Sequence, residues 1–270
     1  MPRKGNGPVG IWCWEADSVT IQYCISYRNK TSAGSADGGG YDFDGGTTNS
    51  IIQYCLSYEN EGSAFGLFQY AGASAWHDNT VRFCISENDG TASAAHAGVF
   101  IWNSSHDTAQ LRNCYFYNNT IYNNKGAAIS YAPENQNAGF YFYNNIFVAK
   151  DELITGKEMN GVFLGNNWWS IANKFNDDGI LDFASWAQGK GNETMNNKMV
   201  GFDTDPLFDS AAKANLADPL QLKSFFNYRL AANSALKNGG LDLLALFNIN
   251  NGNKDFNGQA LLSPIIGACF

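Results

Sequence analysis

The stretch "VTIQYCISYRN" (residues 19–29) alternates apolar and polar positions around a cysteine, and the chain returns to that plan four more times. The later copies are "SIIQYCLSYEN" (50–60), "NTVRFCISEND" (79–89), "AQLRNCYFYNN" (109–119) and "FYFYNNIFVAK" (140–150). Aligned on Cys24, Cys55, Cys84, Cys114 and Asn145, they lie 31, 29, 30 and 31 residues apart. A second set runs between them: "GIWCW" (10–14), "GYDFD" (40–44), "GLFQY" (66–70) and "GVFIW" (98–102), with "AISYA" (128–132) and "GVFLG" (161–165) as weaker members. Each repeat therefore holds several short strands with a turn between them, which a hairpin does not explain and a stacked coil does. Stacked strands sit about 4.8 Å apart, so equivalent residues form ladders along the axis.

Composition agrees with many short strands and turns: 28 Gly, only 6 Pro and 14% aromatic residues in 270. The net charge of −8 leaves no clustered Lys and Arg to follow a phosphate backbone, so nucleic acid is excluded as an expected partner. The longest apolar runs, such as "LDLLALF", are too short to span a bilayer, and "MPRKGNGPVG" has no apolar core of an export signal. No membrane partner is expected.

On these segments the chain resembles the pectin-lyase-like superfamily of right-handed parallel β-helices. The resemblance covers roughly residues 9–170. It implies an all-β, single-stranded right-handed parallel β-helix, a solenoid of about 30 residues per coil, with a C-terminal cap of loops and short helices. In that superfamily the short turn carries an inward asparagine ladder; here Cys24, Cys55, Cys84 and Cys114 take its place and Asn145 keeps the usual residue. The tail, "DPLF" (205–208), "FNYRLAANSALKNG" (226–239) and "DFNG" (255–258), is similar to the closing segment of bacterial carbohydrate-active β-helix proteins, and "FASWAQGKGNE" (183–193) to the insertion before it. Ala235 departs from a usual proline, and the ending Ala268-Cys269-Phe270 from a common aromatic-acidic one. The expected organisation is coils over 1–170 and an insertion and cap over 171–270 in the same domain. The cap should hold helices near "ILDFASWAQ" and "LFDSAAKANLA", with Trp168, Trp169 and Trp186 sealing the core. The six cysteines read as reduced core thiols, and without any C-x-x-C pair a zinc site is not expected.

The candidate chemistry lies in "DGGGYDFDGG" (37–46), three aspartates and five glycines in ten positions. If Tyr41 and Phe43 point into the core, strand alternation turns Asp42 and Asp44 outward together, their Cα atoms roughly 6.6 Å apart at about 3.3 Å per residue. Carboxyl groups about 5–9.5 Å apart suit glycosidic-bond cleavage, by retention at the short end and inversion at the long end. Asp37 joins them from the preceding loop, giving Asp37, Asp42 and Asp44 as candidate catalytic residues. Aligning Gly10, Gly40, Gly66 and Gly98 puts Trp12, Phe68 and Phe100 in the ladder of Asp42, and Trp14, Tyr70 and Trp102 in that of Asp44. These six aromatics, with Glu61 and His96, form the expected substrate-binding set, since sugar rings stack on aromatic faces. His77 and His106 read as turn residues.

The resemblance places substrate along this first-strand face and implies an exported protein, extracellular or periplasmic, acting on a polysaccharide or oligosaccharide. Three functions fit: a glycoside hydrolase needing no cofactor; a polysaccharide lyase using Ca²⁺ with a basic residue such as Lys30; or a glycan-binding or structural β-helix in which Asp37 and Asp44 only cap glycine turns. With only nine residues ahead of Gly10, a missing upstream segment or a partner is expected to cover the first coil.

Overall fold

A computed structural model describes residues 8–32, 37–92, 97–150, 152–158, 160–172, 175, 180 and 182–270. Six coils follow one another, each with three strands. They are β1 (Ile11–Cys13), β2 (Thr20–Gln22) and β3 (Ile25–Tyr27); β4 (Tyr41–Phe43), β5 (Ile51–Gln53) and β6 (Leu56–Tyr58); β7 (Phe65–Gln69), β8 (Trp76–Arg82) and β9 (Ile85–Glu87); β10 (Val99–Asn103), β11 (Leu111–Tyr117) and β12 (Thr120–Asn123); β13 (Ile129–Asn135), β14 (Ala138–Tyr143) and β15 (Ile146–Ala149); and β16 (Ile154–Thr155), β17 (Gly161–Leu164) and β18 (Asn167–Ser170). The first, second and third strands of the coils form three separate parallel sheets of six strands each.

This corrects the expectation of an all-β, single-stranded right-handed parallel β-helix. The molecule is mostly β, built on three six-stranded parallel sheets in a solenoid-like layout, and the described residues also include two α-helices, three 3₁₀ turns and an antiparallel pair, β19 (Thr194–Met195) with β20 (Lys198–Met199).

Each coil bends three times, and the bends are made by residues with left-handed backbone. Ser18, Asn49 and Asn160 precede the second strands, and Asp78, Asn113 and Gly139 lie near the starts of β8, β11 and β14; Tyr23, Tyr54, Phe83, Asn118, Asn144 and Gly165 separate the second strands from the third; Arg28, Glu59 and Asn88 follow the third strands of the first three coils. One positive-φ residue reverses the pleat locally and lets a three-residue strand hand over to the next sheet. Inside, the alternation of the sequence becomes columns: Ile21, Ile52, Val81, Phe116, Phe142 and Phe163 pair in register through the second sheet, and Ile11, Tyr41, Phe65, Val99, Ile129 and Ile154 through the first.

The cysteine column holds for three rungs and then changes. Leu56, Ile85 and Thr120 donate their backbone N–H to the carbonyls of Cys24, Cys55 and Cys84, so the rung above Cys84 belongs to Asn119, not Cys114. Cys114 instead pairs with Asn79 and Phe140 at the start of the second sheet. The steps beyond Cys84 are 35, 26 and 21 residues, through Asn119, Asn145 and Asn166. All six cysteines are free thiols.

From Asn119 upward each asparagine does the same two things. Its Oδ1 accepts the backbone N–H of the rung below, and its Nδ2 donates to the Oδ1 above: Asn119 to Asn145 at 3.1 Å, Asn145 to Asn166 at 2.9 Å. The column ends on the buried carboxylate of Glu193. Asn145→Ala strands the Asn119 N–H without an acceptor, takes one of the two acceptors from Asn119 Nδ2, which keeps the Val81 carbonyl, and removes a donor from the Phe116 carbonyl. A loss of about 3 kcal/mol is expected, at roughly 1–3 kcal/mol per buried orphan, measured by urea unfolding.

Helix α1 (Phe183–Lys190) starts on the Asp182 carboxylate, which accepts the Ser185 N–H at 2.8 Å, and ends on left-handed Gly191. It buries Phe183, Trp186 and Ala187 against Phe163 and Trp168 and closes one end of the core. Trp169 packs elsewhere, with Leu230 and Ile266. The segment "LFDSAAKANLA" (207–217) forms no helix; the later helical pieces are the 3₁₀ turns Pro219–Ser224 and Ala235–Asn238 and α2 (Leu243–Phe247). Most of this tail lies along the outer face of the third sheet, not over its end. Tyr58 donates to the Leu216 carbonyl, and Glu87 accepts from the Tyr228 hydroxyl at 2.7 Å and from the Ala214 N–H. The tail thereby covers most of the third sheet, and α2 packs on Tyr117 and Tyr143 of the second; exposed aromatics remain at the first coil, Trp12 and Trp14 by the first sheet and Tyr23 and Tyr27 by the second and third.

Candidate functional site

Asp42 is the middle residue of β4, between Tyr41 and Phe43, both wholly buried in the core. Its own side chain leaves the opposite face, as alternation demands, yet it is only 4% exposed. The expectation that it faces solvent is corrected by its neighbours. Gly66 stands opposite Asp42 in the next coil, and the Phe68 ring folds back over that glycine so closely that a Cβ there would sit 2.6 Å from the ring and 3.3 Å from Asp42 Oδ1. Glycine supplies the space that lets the ring close over the acid. Val9, Gly39 and Ser63 complete the walls, and what remains is a cleft of about 10 Å³, room for about one water.

Asp37 also lines that cleft. Asp44, the first residue after β4, is half-buried; its Oδ1 accepts the Gly45 N–H at 2.7 Å and its own N–H bonds the Cys13 carbonyl. The three acids predicted from "DGGGYDFDGG" are therefore brought together. Their electrostatics differ. Burial, then the charges of Asp44 and Asp37, pushes the Asp42 carboxyl well above the usual carboxylate range. Burial also raises Asp44, while the Gly45 N–H holds it down. Asp42 Oδ1 is buried with no hydrogen-bond partner among the described residues. An acid kept protonated beside one that ionises more readily is the division of labour that acid–base chemistry uses.

The predicted aromatics lie along the first strands, with one register error in their assignment. In the backbone pairing the column of Gly10 and Gly40 continues through Ala64 and Gly98, so "GLFQY" is displaced by two residues. The outward ladder of Asp42 runs Trp12, Asp42, Gly66, Phe100, Ser130, Thr155. Phe68 belongs instead with Trp102, on the rung that continues from Asp44, and meets Trp102 edge-on at 6.3 Å and Phe100 at 5.5 Å. Tyr70 lies beyond the end of β7, where its hydroxyl accepts from Trp14 Nε1 and its ring lies against Gly45. Trp12 and Trp14 are the open members, 52% and 50% exposed; Phe68, Tyr70 and Trp102 are half-buried and Phe100 is buried.

Glu61 is not at the acids. It clamps two loops, accepting the Thr31 N–H at 2.8 Å and pairing with Lys30 at 3.0 Å, and that ammonium holds its carboxyl below the usual range. His96 falls outside the described residues. The face also presents Ser130, Thr155 and Lys157, which the sequence reading did not single out. Ser130 follows from aligning "AISYA" with "GVFIW", since Ala128 stands in the Gly98 column; Thr155 was hidden because "GVFLG", aligned as a first strand, forms β17 of the second sheet and the first strand of the sixth coil is Ile154–Thr155.

No protein-family model and no curated protein matches the chain.

Proposed function

We propose that this protein binds a polysaccharide along the outer face of its first sheet and hydrolyses glycosidic bonds there. In this reading Asp42 is the general acid and Asp44 the base or nucleophile, and Asp37 adds negative charge that keeps Asp42 protonated. Kinship with the pectin-lyase-like superfamily and action outside the cytoplasm belong to the same proposal. The observation that carries it is the Asp42 carboxyl: buried, unpaired at Oδ1, and within the field of two further carboxylates at the edge of an aromatic face. A structural aspartate in a turn accepts backbone N–H groups, as Asp44 does; Asp42 is mid-strand, where no turn explains a carboxyl group.

No Lys or Arg lines the acid cleft among the described residues, and Lys30, the base considered for lyase chemistry, is paired with Glu61. Those facts favour hydrolysis over elimination. The cleft's small volume favours a second reading, glycan binding without cleavage, in which the sugar rests on Trp12, Trp14 and Phe68 above an inert acid. A polysaccharide panel decides between them. Release of reducing ends without the ultraviolet absorbance of an unsaturated product is expected, with about a hundredfold loss or more in Asp44→Asn. Retention of polysaccharides on native gels with no product from any member would leave binding alone.

A further inference from the structure

The outward ladder that starts at Trp12 and Asp42 does not end at Phe100. Its next members are Ser130 on β13 and Thr155 on β16. Beside them the first sheet opens into a pocket of about 290 Å³, near the lower limit of about 300 Å³ for small-molecule sites. Phe100, Tyr131 and Pro133 give it apolar walls; Ser130, Thr155 and Lys157 give it polar ones. Thr155 Oγ1 is buried without a hydrogen-bond partner among the described residues, a donor and acceptor left for something to fill. Lys157 is exposed at the rim and brings three further donors. Phe68 touches Phe100 edge-on, so the acid cleft and this pocket are joined by a continuous aromatic contact.

The ladder fixes the separation. Asp42, Gly66, Phe100, Ser130 and Thr155 are consecutive rungs, so the pocket's far wall stands about 19 Å from Asp42 at about 4.8 Å per rung, roughly the reach of four or five pyranose units in an extended chain. We propose that this pocket is a distal sugar subsite, holding one pyranose ring of the chain whose other end lies at Asp42. The ring's apolar face lies on Phe100 and Pro133, and one of its hydroxyls fills the Thr155 Oγ1. The inference rests on the first-sheet face being a glycan surface, and it adds a length requirement: short chains cannot reach both sites.

Calorimetric titration of the full chain carrying Asp42→Asn, which should bind without cleaving, tests it with xylo-oligosaccharides as a neutral series and oligo-uronates as an acidic one. In at least one series affinity is expected to step up about tenfold or more between trimers and chains of about five units. Adding Thr155→Val removes that step, leaves trimer affinity unchanged, and does not lower the melting temperature, because the isosteric change deletes an unsatisfied hydroxyl. The last readout separates a ligand contact from a structural one. A step that survives Thr155→Val, or affinity that climbs smoothly with length, overturns the subsite. A step with no cleavage by the wild type leaves the subsite standing and removes the hydrolase reading. No binding in either series overturns both.

Discussion

Asp42→Asn is expected to lower polysaccharide hydrolysis by about 10³-fold, within the roughly 10²–10⁴-fold that a positioned general acid contributes, while making the folded protein more stable at neutral and alkaline pH. The two effects have one origin. The Asp42 carboxyl is raised in the folded state by burial and by its acidic neighbours, so ionisation opposes folding. A raised folded value means that stability is fully present below the ordinary aspartate range and is lost as pH rises through the folded value. Asparagine cannot ionise, so the variant and the wild type should melt alike near pH 4 and separate progressively above it, the variant melting higher. An acid that served only to hold the fold together would behave in the opposite way, since its removal would cost stability. Wild-type rates in the variant on any substrate the wild type cleaves would remove Asp42 from the chemistry.

The same protonation logic shapes the pH profile. The alkaline limb should follow loss of the Asp42 proton, and the acid limb protonation of Asp44, which the Gly45 N–H keeps the more acidic of the two.

Much of the fold is legible in the sequence because alternation has only two phases. Once "GYDFD" places Tyr41 and Phe43 inside, every pairing in the first sheet has its inward residues fixed, and those residues are buried from β4 onward, with Ile11 and Cys13 of β1 partly so. What alternation cannot supply is the registration between coils. Matching cysteine to cysteine selected Cys114, whereas backbone pairing selects Asn119, five residues on, because the fourth coil is longer before that corner. Matching glycine to glycine selected Gly66, which instead occupies the outward position opposite Asp42. In each case the residue type was right for a different column. The bends were equally hidden. Tyr23, Tyr54, Phe83, Arg28 and Glu59 all adopt left-handed backbone, yet none carries the Gly or Asn signal that normally announces it. Burial of Asp42 also escaped, since it depends on the ring of Phe68 folding toward a glycine, a contact between residues on different coils.

Glu193→Ala is expected to be the most damaging single substitution in the chain. In the sequence this residue stands out only as the end of "FASWAQGKGNE", but it terminates the asparagine column. Oε1 accepts from Asn166 Nδ2 at 2.7 Å and Trp168 Nε1 at 2.9 Å, and Oε2 from the Asn166 N–H at 3.1 Å. Alanine strands three buried donors and opens a cavity where α1 meets the last coil, so a loss of about 4 kcal/mol or more is expected by urea unfolding. Glu193→Gln separates shape from charge. Burial pushes the Glu193 carboxyl up to about 7, against the donors of Asn166, Trp168 and Gly165 that pull it down. By the same sign rule its contribution is complete below about pH 4.5 and is lost as pH passes 7, about 3 kcal/mol in all at about 1.4 kcal/mol per pH unit. Glutamine should therefore flatten the fall in stability between about pH 4.5 and 7 without abolishing it, since Asp89, also raised to about 7 by burial, keeps its own share. A pH dependence identical to wild type in Glu193→Gln would mean that the column does not end on an ionising carboxylate, and that the donors of Asn166 and Trp168 are satisfied by a group whose charge does not change.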